Sequence, residues 1–382
     1  MRHLGTEQTV LFYHSYKIGK EVPAFMKISL CMIVKNEEEV LARCLESVQP
    51  LVDELIIVDT GSDDETITIA RNYTDLIYQI PWEDDFAKAR NFAFSKATGD
   101  YIMWLDADDS ISPENAKRFH ALKNILLKES PDMVMCPYDT AFDGDTPLFT
   151  FYRERLVKNG AGLKWQGRVH ECIAPHGKVI HSEFRVFHLG SEKERGRRNL
   201  HIYQKWAGEE PLGPRDQFYY GRELYYHRLY TESISVLEEM LEGKGWYVNK
   251  IEACKILSAC YFAKGFSEKA KNALFRSFCY GEPRASVCCE IAKRFQQENH
   301  YGEAVYWYEA ALNCKDHSSE GDFEEPESRG VVPYLELVCC YYALGNTDKA
   351  VFYHKKTERL FPNHSAVIFN KQFFIDKGMI SN

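Results

Sequence analysis

Two aspartates separated by one residue, Asp106 and Asp108, directly follow the apolar run Tyr101–Leu105. An apolar run of this length is typical of a buried strand, so these carboxylates are expected where a strand end meets solvent. Carboxylate oxygens bind hard divalent cations and leave coordination positions open for phosphate oxygens. An isolated Asp-x-Asp sequence also suits a solvated turn. The segments on either side therefore decide between the two interpretations.

Two further apolar runs, Ile28–Val34 and Leu55–Val58, predict buried strands, and a helical pattern follows each of them. Strands that alternate with helices form parallel sheets, whose ligands gather at the carboxyl ends of the strands. Because Asp59 follows the second of these strands, we expect Asp59 and Asp106 to lie in one crevice.

Three segments occur in a fixed order along this half of the chain: CMIVKNEEEVLARCLESV from residue 31, ELIIVDTGSDDETITIA from residue 54, and FAKARNFAFSKATGDYIMWLDADD from residue 86. In order and spacing they resemble family 2 glycosyltransferases of the GT-A fold, over roughly residues 26–190. The resemblance implies an α/β GT-A (Rossmann-like) nucleotide-sugar domain. It also implies a UDP-sugar donor, a divalent metal (Mg²⁺ or Mn²⁺) and inversion at the anomeric carbon.

The resemblance implies roles for four residues. Asp59 would hydrogen-bond the uracil ring, Arg90 would contact the nucleotide or diphosphate, and Asp106 with Asp108 would hold ribose and metal. A turn-stabilising hydrogen bond is an alternative for Asp59, because short acidic side chains often bond the backbone nearby. The planar, permanently charged guanidinium of Arg90 suits a phosphate or a base.

Neighbouring acidic residues leave further alternatives. An ion pair with Asp84 or Asp85 would also account for Arg90. Asp108 is the strongest candidate metal ligand, whereas we expect Asp109 to be the N-cap of a helix that begins near Ser112.

The segment Leu163–Glu171 provides candidates for acceptor chemistry. Trp165 can form an apolar platform under a sugar ring, and Gly167 permits close backbone approach. His170 and Glu171 can each accept a proton. By the resemblance Glu171 would be the base, with His170 as the second choice. The alternatives are a core histidine and a surface glutamate.

A histidine and a basic run follow the last predicted strand of this domain. Some GT-A enzymes complete metal coordination with a histidine after the sheet, so the resemblance makes His188 a candidate ligand of metal or phosphate. Lys193, Arg195, Arg197 and Arg198 could clamp a diphosphate, with Arg198 preferred. A solvated hinge is the alternative for this run.

After residue 200 the pattern changes to four pairs of aromatic-rich helices. The small residues Ala270 and Ala304 are separated by the length of a tetratricopeptide repeat. The next one, Ala350, lies more than one repeat length farther on, and the additional residues fall in the acidic stretch 315–330. We therefore predict an N-terminal extension at 1–25, a GT-A domain at 26–200 and a TPR-like helical repeat domain at 201–382 with an acidic insertion. The extension could also be an edge strand or a misassigned start.

The junction and the first repeat add a second resemblance. The RRN sequence at 197–199 and the segment FYYGRELYYHRLYTESISVLEEML from residue 218 resemble peptide S-glycosyltransferases of the sublancin type. The acceptor would then be a cysteine or hydroxyl of a peptide. The layout also resembles glycosyltransferases of lipopolysaccharide core synthesis. From another class, the chain could be a repeat scaffold with a degenerate nucleotide-sugar domain.

Composition limits the remaining functions. The net charge of −9 argues against nonspecific nucleic-acid binding, which relies on basic surfaces. The 12 cysteines lack a Cys-x-x-Cys pair and mostly occupy predicted helices and strands, so we expect reduced thiols. With no apolar run of ~20 residues and no signal peptide, we expect a cytoplasmic protein. The helical repeats are also expected to offer a surface for homodimerisation.

Overall fold

The computed structural model describes residues 26–143, 146–190, 196–317, 323 and 326–381. The predicted N-terminal extension lies outside these residues. So do Lys193 and Arg195 of the basic run and residues 318–322 and 324–325 of the predicted acidic insertion.

The N-terminal half contains the predicted alternation of strands and helices, and all three long apolar runs form strands. Its elements are β1 (Ile28–Val34), α1 (Leu41–Val48), β2 (Glu54–Asp59), α2 (Thr66–Ala70), β3 (Ile77–Gln79), α3 (Phe86–Phe94), β4 (Tyr101–Trp104), β5 (Asp109–Ser110), α4 (Pro113–Glu129), β6 (Met133–Asp143), β7 (Thr146–Lys158), β8 (Trp165–Gln166), β9 (Cys172–Ile173), β10 (Val179–His181) and β11 (Val186–His188).

The main sheet is mixed rather than parallel throughout. Its strand order is β3-β2-β1-β4-β7-β6-β11-β5, with β10 beside β6. The strands β1 to β4 pair in parallel, as predicted, but β7 runs antiparallel to both β4 and β6. The prediction of a parallel sheet was wrong here because β6 and β7 form a hairpin, which needs no crossover helix.

The central strand β1 is buried on both faces. Leu30 and Met32 pack in one apolar cluster with α1 and α4, whereas Cys31 packs in another with residues of α3. Cover on both faces explains why β1 is a continuous apolar run instead of an alternating one.

Strand register brings the acidic residues to one edge of the sheet. Val34 of β1 pairs with Asp59, and Cys31 pairs with Trp104, so Asp59 and the residues after Trp104 extend from parallel strands at their carboxyl ends. On the other side, β11 pairs antiparallel with β5 and sets His188 opposite Asp109.

The C-terminal half is helical, and the four predicted helix pairs are present. They are preceded by α5 and followed by α14. The helices are α5 (Arg198–Glu209), α6 (Pro214–Tyr226), α7 (Tyr230–Glu242), α8 (Tyr247–Ala263), α9 (Ser267–Arg276), α10 (Ala285–Gln297), α11 (Tyr301–Leu312), α12 (Val331–Ala343), α13 (Thr347–Leu360) and α14 (Ser365–Asp376).

Small residues lie at the helix crossings, as the repeat spacing predicted. Ala270, Ala304 and Ala350 are completely buried. At the crossing of α6 and α7, Ser233 Oγ donates to the carbonyl of Gly221 at 2.8 Å. All 12 cysteines are free thiols. In the part of the chain that the structure describes, no helix is both long and apolar enough to traverse a bilayer.

Candidate active site

Two aspartates and a histidine lie together beyond the end of β4. Ligand atoms of Asp108, Asp109 and His188 lie within 4.8 Å of one another. His188 Nδ1 is 3.4 Å from Asp108 Oδ1 and 3.3 Å from Asp109 Oδ1. The pairing of β5 with β11 creates this proximity, since Leu189 N also donates to the Asp108 carbonyl at 3.2 Å. Carboxylate oxygens and an imidazole nitrogen are suitable ligands for a divalent cation.

Asp109 does not cap the following helix, so that prediction was wrong. The N-cap of α4 is Ser112, whose side chain accepts from Asn115 N. Asp109 instead pairs in strand β5 and is completely buried.

The Asp109 carboxylate has several buried partners. It accepts from Arg155 Nη1 at 3.0 Å, from Tyr138 Oη at 2.8 Å and from the backbone N–H of Asp106 at 3.0 Å. Arg155 is completely buried and stacks on the Trp104 ring, 3.9 Å from its centroid. Asp109 therefore neutralises a buried cation and fixes the turn that carries Asp106 and Asp108.

His188 is a strong base in this arrangement. Burial lowers the pKa of His188, but its hydrogen bonds with Asp108 and Asp109 outweigh that effect and raise the pKa to about 10. Tyr138 Oη lies 2.7 Å from His188 Nδ1. A cation at this site would replace the proton that His188 otherwise carries, because metal ligands must be deprotonated.

Arg90 bridges Asp106 and Glu171. Its Nε donates to Glu171 Oε1 at 2.6 Å, and its Nη2 donates to Asp106 Oδ1 at 2.7 Å. Burial raises the pKa of Asp106, but Arg90 and Arg155 outweigh it and hold this pKa below its usual range. Arg90 and Asp106, two of the residues predicted to bind the donor, therefore contact each other.

The alternative ion pair of Arg90 with Asp84 or Asp85 is absent from the described structure. Asp85 accepts from Lys88 N at 2.8 Å and caps α3, and Asp84 pairs with Lys205 Nζ at 2.7 Å.

The Trp165 ring lies beneath Arg90. The guanidinium carbon of Arg90 is 4.9 Å from the Trp165 ring centroid and 4.8 Å from that of Trp104. Trp165 is 3% exposed and also packs edge-on against Phe94. In this conformation the ring supports Arg90 and has no exposed face for a sugar, which is at odds with the predicted platform.

Asp59 is buried and holds the turn that follows β2. Its carboxylate accepts from Gly61 N at 3.1 Å and from Ser62 N at 3.2 Å. Gly61 has a φ of +105°, which favours glycine at this position. The alternative of a turn-stabilising bond is thus present, and the contact with uracil stays a prediction.

His170 and Glu171 face different partners. Glu171 is 9% exposed and engages Arg90, whereas His170 Nε2 lies 2.9 Å from Glu223 Oε1 of α6. Arg198 is exposed at the start of α5, and its guanidinium carbon lies 4.7 Å from the Phe86 ring centroid. A diphosphate contact by Arg198 stays a prediction.

The comparison with protein families concerns the half of the chain that carries this site. Residues 29–186 match the family model of glycosyl transferase family 2. The N-terminal domain belongs to this family. Asp59, Arg90, Asp106, Asp108 and Glu171 all lie within the matched part of the family 2 domain, and His188 lies two residues beyond it.

Two glycosyltransferases and a TPR repeat-containing protein are similar to parts of the chain. The SPbeta prophage-derived glycosyltransferase SunS of Bacillus subtilis is 30% identical over 246 residues, which is 61% of this chain and 58% of SunS. A TPR repeat-containing protein of Synechococcus elongatus is 37% identical over 157 residues, 39% of this chain and 36% of that protein. The lipopolysaccharide core biosynthesis glycosyltransferase LpsC of Rhizobium meliloti is 30% identical over 167 residues, 40% of this chain and 59% of LpsC. The chain thus spans less than two thirds of the length of these relatives.

Sequence reasoning missed residues that support the family 2 site from other elements. Arg155 and Tyr138 hold Asp109, and Arg153 Nη2 donates to the Glu171 carbonyl at 3.4 Å. One signal was available: Arg153-Glu154-Arg155 interrupts an otherwise apolar and aromatic stretch of β7. Three consecutive charges in a strand next to buried residues require buried partners.

Proposed function

We propose that this protein is a metal-dependent glycosyltransferase that moves a sugar from a UDP-sugar to an acceptor with inversion at the anomeric carbon. The observation that carries the proposal is the cluster of Asp108 and His188 beside Asp106 in a family 2 domain. An oxygen-rich cation site at the carboxyl ends of parallel strands suits a diphosphate ligand.

In this proposal Asp108 and His188 hold Mg²⁺ or Mn²⁺, and the buried Asp109 positions these two residues. Asp106 binds the ribose, and Asp59 contacts the uracil. A bound cation would neutralise negative charge on the leaving diphosphate. The donor set fits such an ion, since the Asp108 carboxylate is partly exposed whereas Asp109 is committed to Arg155.

We propose that Glu171 is the general base. A carboxylate can accept a proton from the acceptor, and Arg90 holds the Glu171 carboxylate close to Asp106. The acceptor oxygen or sulfur forms a bond to the anomeric carbon, and its proton passes to Glu171. The bond from that carbon to the diphosphate oxygen breaks, and UDP leaves with the electron pair.

The acceptor is proposed to be a cysteine or hydroxyl of a peptide, as the resemblance of the junction and the first repeat to sublancin-type enzymes implies. The similarity to LpsC favours a saccharide acceptor as the second candidate. Glu171→Gln separates thiol from hydroxyl acceptors. A thiol with a pKa near ~8.5 ionises readily, so transfer to cysteine would survive this change better than transfer to a hydroxyl.

The test is a panel of nucleotide sugars with Mn²⁺, in which UDP release is followed and products are identified by mass spectrometry. Cysteine peptides, serine peptides and simple glycans serve as acceptors. We expect Asp108→Ala to lower turnover by more than about a hundredfold, because it removes a proposed metal ligand. The control is Asp75→Ala, which removes an exposed carboxylate elsewhere in the domain. If none of the nucleotide sugars is turned over, the result would favour the repeat scaffold with a degenerate nucleotide-sugar domain.

A further inference from the structure

We propose that Glu223, on the first helix of the repeat pairs, is a positioning residue for the loop that carries Glu171. This loop, residues 167–171, connects β8 to β9 and is called the base loop below. The inference rests on the proposed function, since it assigns a role in the same site. It makes α6 a functional part of the active site.

The base loop has a backbone conformation that needs external support. His170 has a φ of +52°, and Gly167 has a φ of +89°. The left-handed region costs a residue with a side chain about 1 kcal/mol or more, so such a residue persists only when its surroundings hold it. Glycine at 167 avoids this cost, but His170 does not.

The support for His170 comes from α6. His170 Nε2 lies 2.9 Å from Glu223 Oε1, and its ring stacks on Tyr219 with centroids 4.6 Å apart and an interplanar angle of 20°. Burial lowers the pKa of His170, so the neutral imidazole donates its Nε2–H to the Glu223 carboxylate. Both contacts come from a single helix of the repeat region.

Other elements hold the neighbouring residues of the base loop, and Arg168 Nη1 pairs with Glu209 of α5 at 2.6 Å. Phe86 N of α3 donates to the Arg168 carbonyl at 2.8 Å, and Tyr203 Oη of α5 donates to the Val169 carbonyl at 3.3 Å. His170 itself, the residue in the left-handed conformation, has its side-chain hydrogen bond with Glu223, and its ring also stacks at 6.3 Å from Tyr203 of α5. Glu223 is 8% exposed, and a carboxylate at such burial is costly unless it is hydrogen-bonded.

The loop leads directly to the proposed chemistry. Glu171 follows His170 in the chain, and its carboxylate engages Arg90, which in turn engages Asp106. A rotation of the backbone at His170 would therefore displace Glu171 relative to the donor site. Displacements of about 1 Å at a reacting group can lower a rate by roughly a hundredfold.

The first experiment compares variants at position 223 in the full chain. Glu223→Leu removes the acceptor, and Glu223→Asp keeps the charge but shortens the side chain. We expect both to lower kcat by about tenfold or more, with a smaller change in the donor KM. Glu223→Gln keeps an oxygen acceptor and should stay within about threefold of the wild type. The control is Glu232→Leu, which changes an exposed carboxylate of α7.

A double-variant cycle tests whether Glu223 acts through His170. His170→Gly tolerates a positive φ without support. We expect Glu223→Leu to cause no further loss of kcat in a His170→Gly background. Additive losses would overturn the proposed route, and a wild-type kcat in both Glu223→Leu and Glu223→Asp would overturn the positioning role.

Amide hydrogen exchange tests the same inference without turnover. In the full chain without donor, Glu223→Leu should increase exchange in residues 167–171 and leave strands β1 and β4 unchanged. If Glu223→Leu does not fold, Glu223→Asp takes its place. Unchanged exchange in the base loop would overturn the inference. Absence of transfer by the wild type would instead count against the proposed function, because the exchange result does not depend on it.

Discussion

Arg90 connects the proposed base to the nucleotide side of the site, since its Nε donates to Glu171 and its Nη2 donates to Asp106. The guanidinium packs against the rings of both Trp104 and Trp165, which limit its movement. Two carboxylates with different proposed roles thus share one cation. The distance between the carboxylates of Glu171 and Asp106 therefore depends on the spacing of Nε and Nη2 in the Arg90 guanidinium.

Arg90→Lys should impair the site although the charge remains. A lysine ammonium is a point charge on a flexible stem and cannot reproduce the planar fork that reaches both carboxylates. We expect kcat to fall by roughly tenfold to a hundredfold, measured as UDP release under saturating donor. Lys88→Ala is the control, because Lys88 is an exposed residue of the same helix that pairs with Glu83. Wild-type kcat in Arg90→Lys would contradict the bridging role.

Asp109→Leu should destabilise the domain by leaving the buried Arg155 charge without its partner. Removing one partner of a buried ion pair costs about 3–5 kcal/mol. Urea unfolding of the wild type and the variant would measure this loss in the free energy of unfolding. Asp109→Leu with Arg155→Met should recover part of the loss, because the second change removes the uncompensated charge. If the double variant is less stable than Asp109→Leu alone, the ion pair does not explain the burial of these residues.

The roles of Asp109 and Arg90 illustrate what the sequence could predict. The strands β1, β2 and β4 and the four helix pairs follow from local apolar patterns, which need no knowledge of distant residues. The proximity of His188 to Asp108 followed only from the family resemblance. It depends on the pairing of β5 with β11, which are far apart in the chain.

The errors have the same origin. Asp109 precedes a helix, and aspartate is a common N-cap residue. Its actual partners, Arg155 and Tyr138, come from the β6–β7 hairpin. Trp165 was predicted to form a platform under a sugar ring, yet Phe94 and Trp104 pack against its ring. Side-chain burial in a loop depends on tertiary packing that single-sequence patterns do not contain.

Glu54 should make stability depend on acidic pH. Burial raises the pKa of Glu54, but hydrogen bonds from Ser29, Thr98 and Lys27 outweigh it and lower the pKa from 4.5 to about 2. Because the folded pKa is below the unfolded one, the stabilising contribution is complete above the unfolded pKa and is lost as the pH falls from there to about 2.

The measurement is the free energy of urea unfolding at pH 7, 4.5 and 3 for the wild type and Glu54→Gln. We expect the difference between them to shrink as the pH falls through this range, since protonation removes the advantage of the carboxylate. Glu39→Gln changes an exposed carboxylate and serves as the control. A difference that stays constant with pH would rule out the ionised Glu54 as its source.

Gly221→Ala should weaken the crossing of α6 and α7. A Cβ at position 221 would lie 2.5 Å from Leu237 Cγ and would also overlap Leu237 Cδ2. Leu237 is completely buried, so it has little room to move. We expect a loss of about 1–3 kcal/mol in the free energy of unfolding. Gly208→Ala in α5 is the matched control: its Cβ would meet no atom within 4 Å, so helix propensity alone predicts a gain of roughly 0.5–1 kcal/mol. Because α6 also carries Glu223, Gly221→Ala should increase amide exchange in the base loop as well. If Gly221→Ala and Gly208→Ala change the free energy of unfolding equally, the close crossing does not constrain α6.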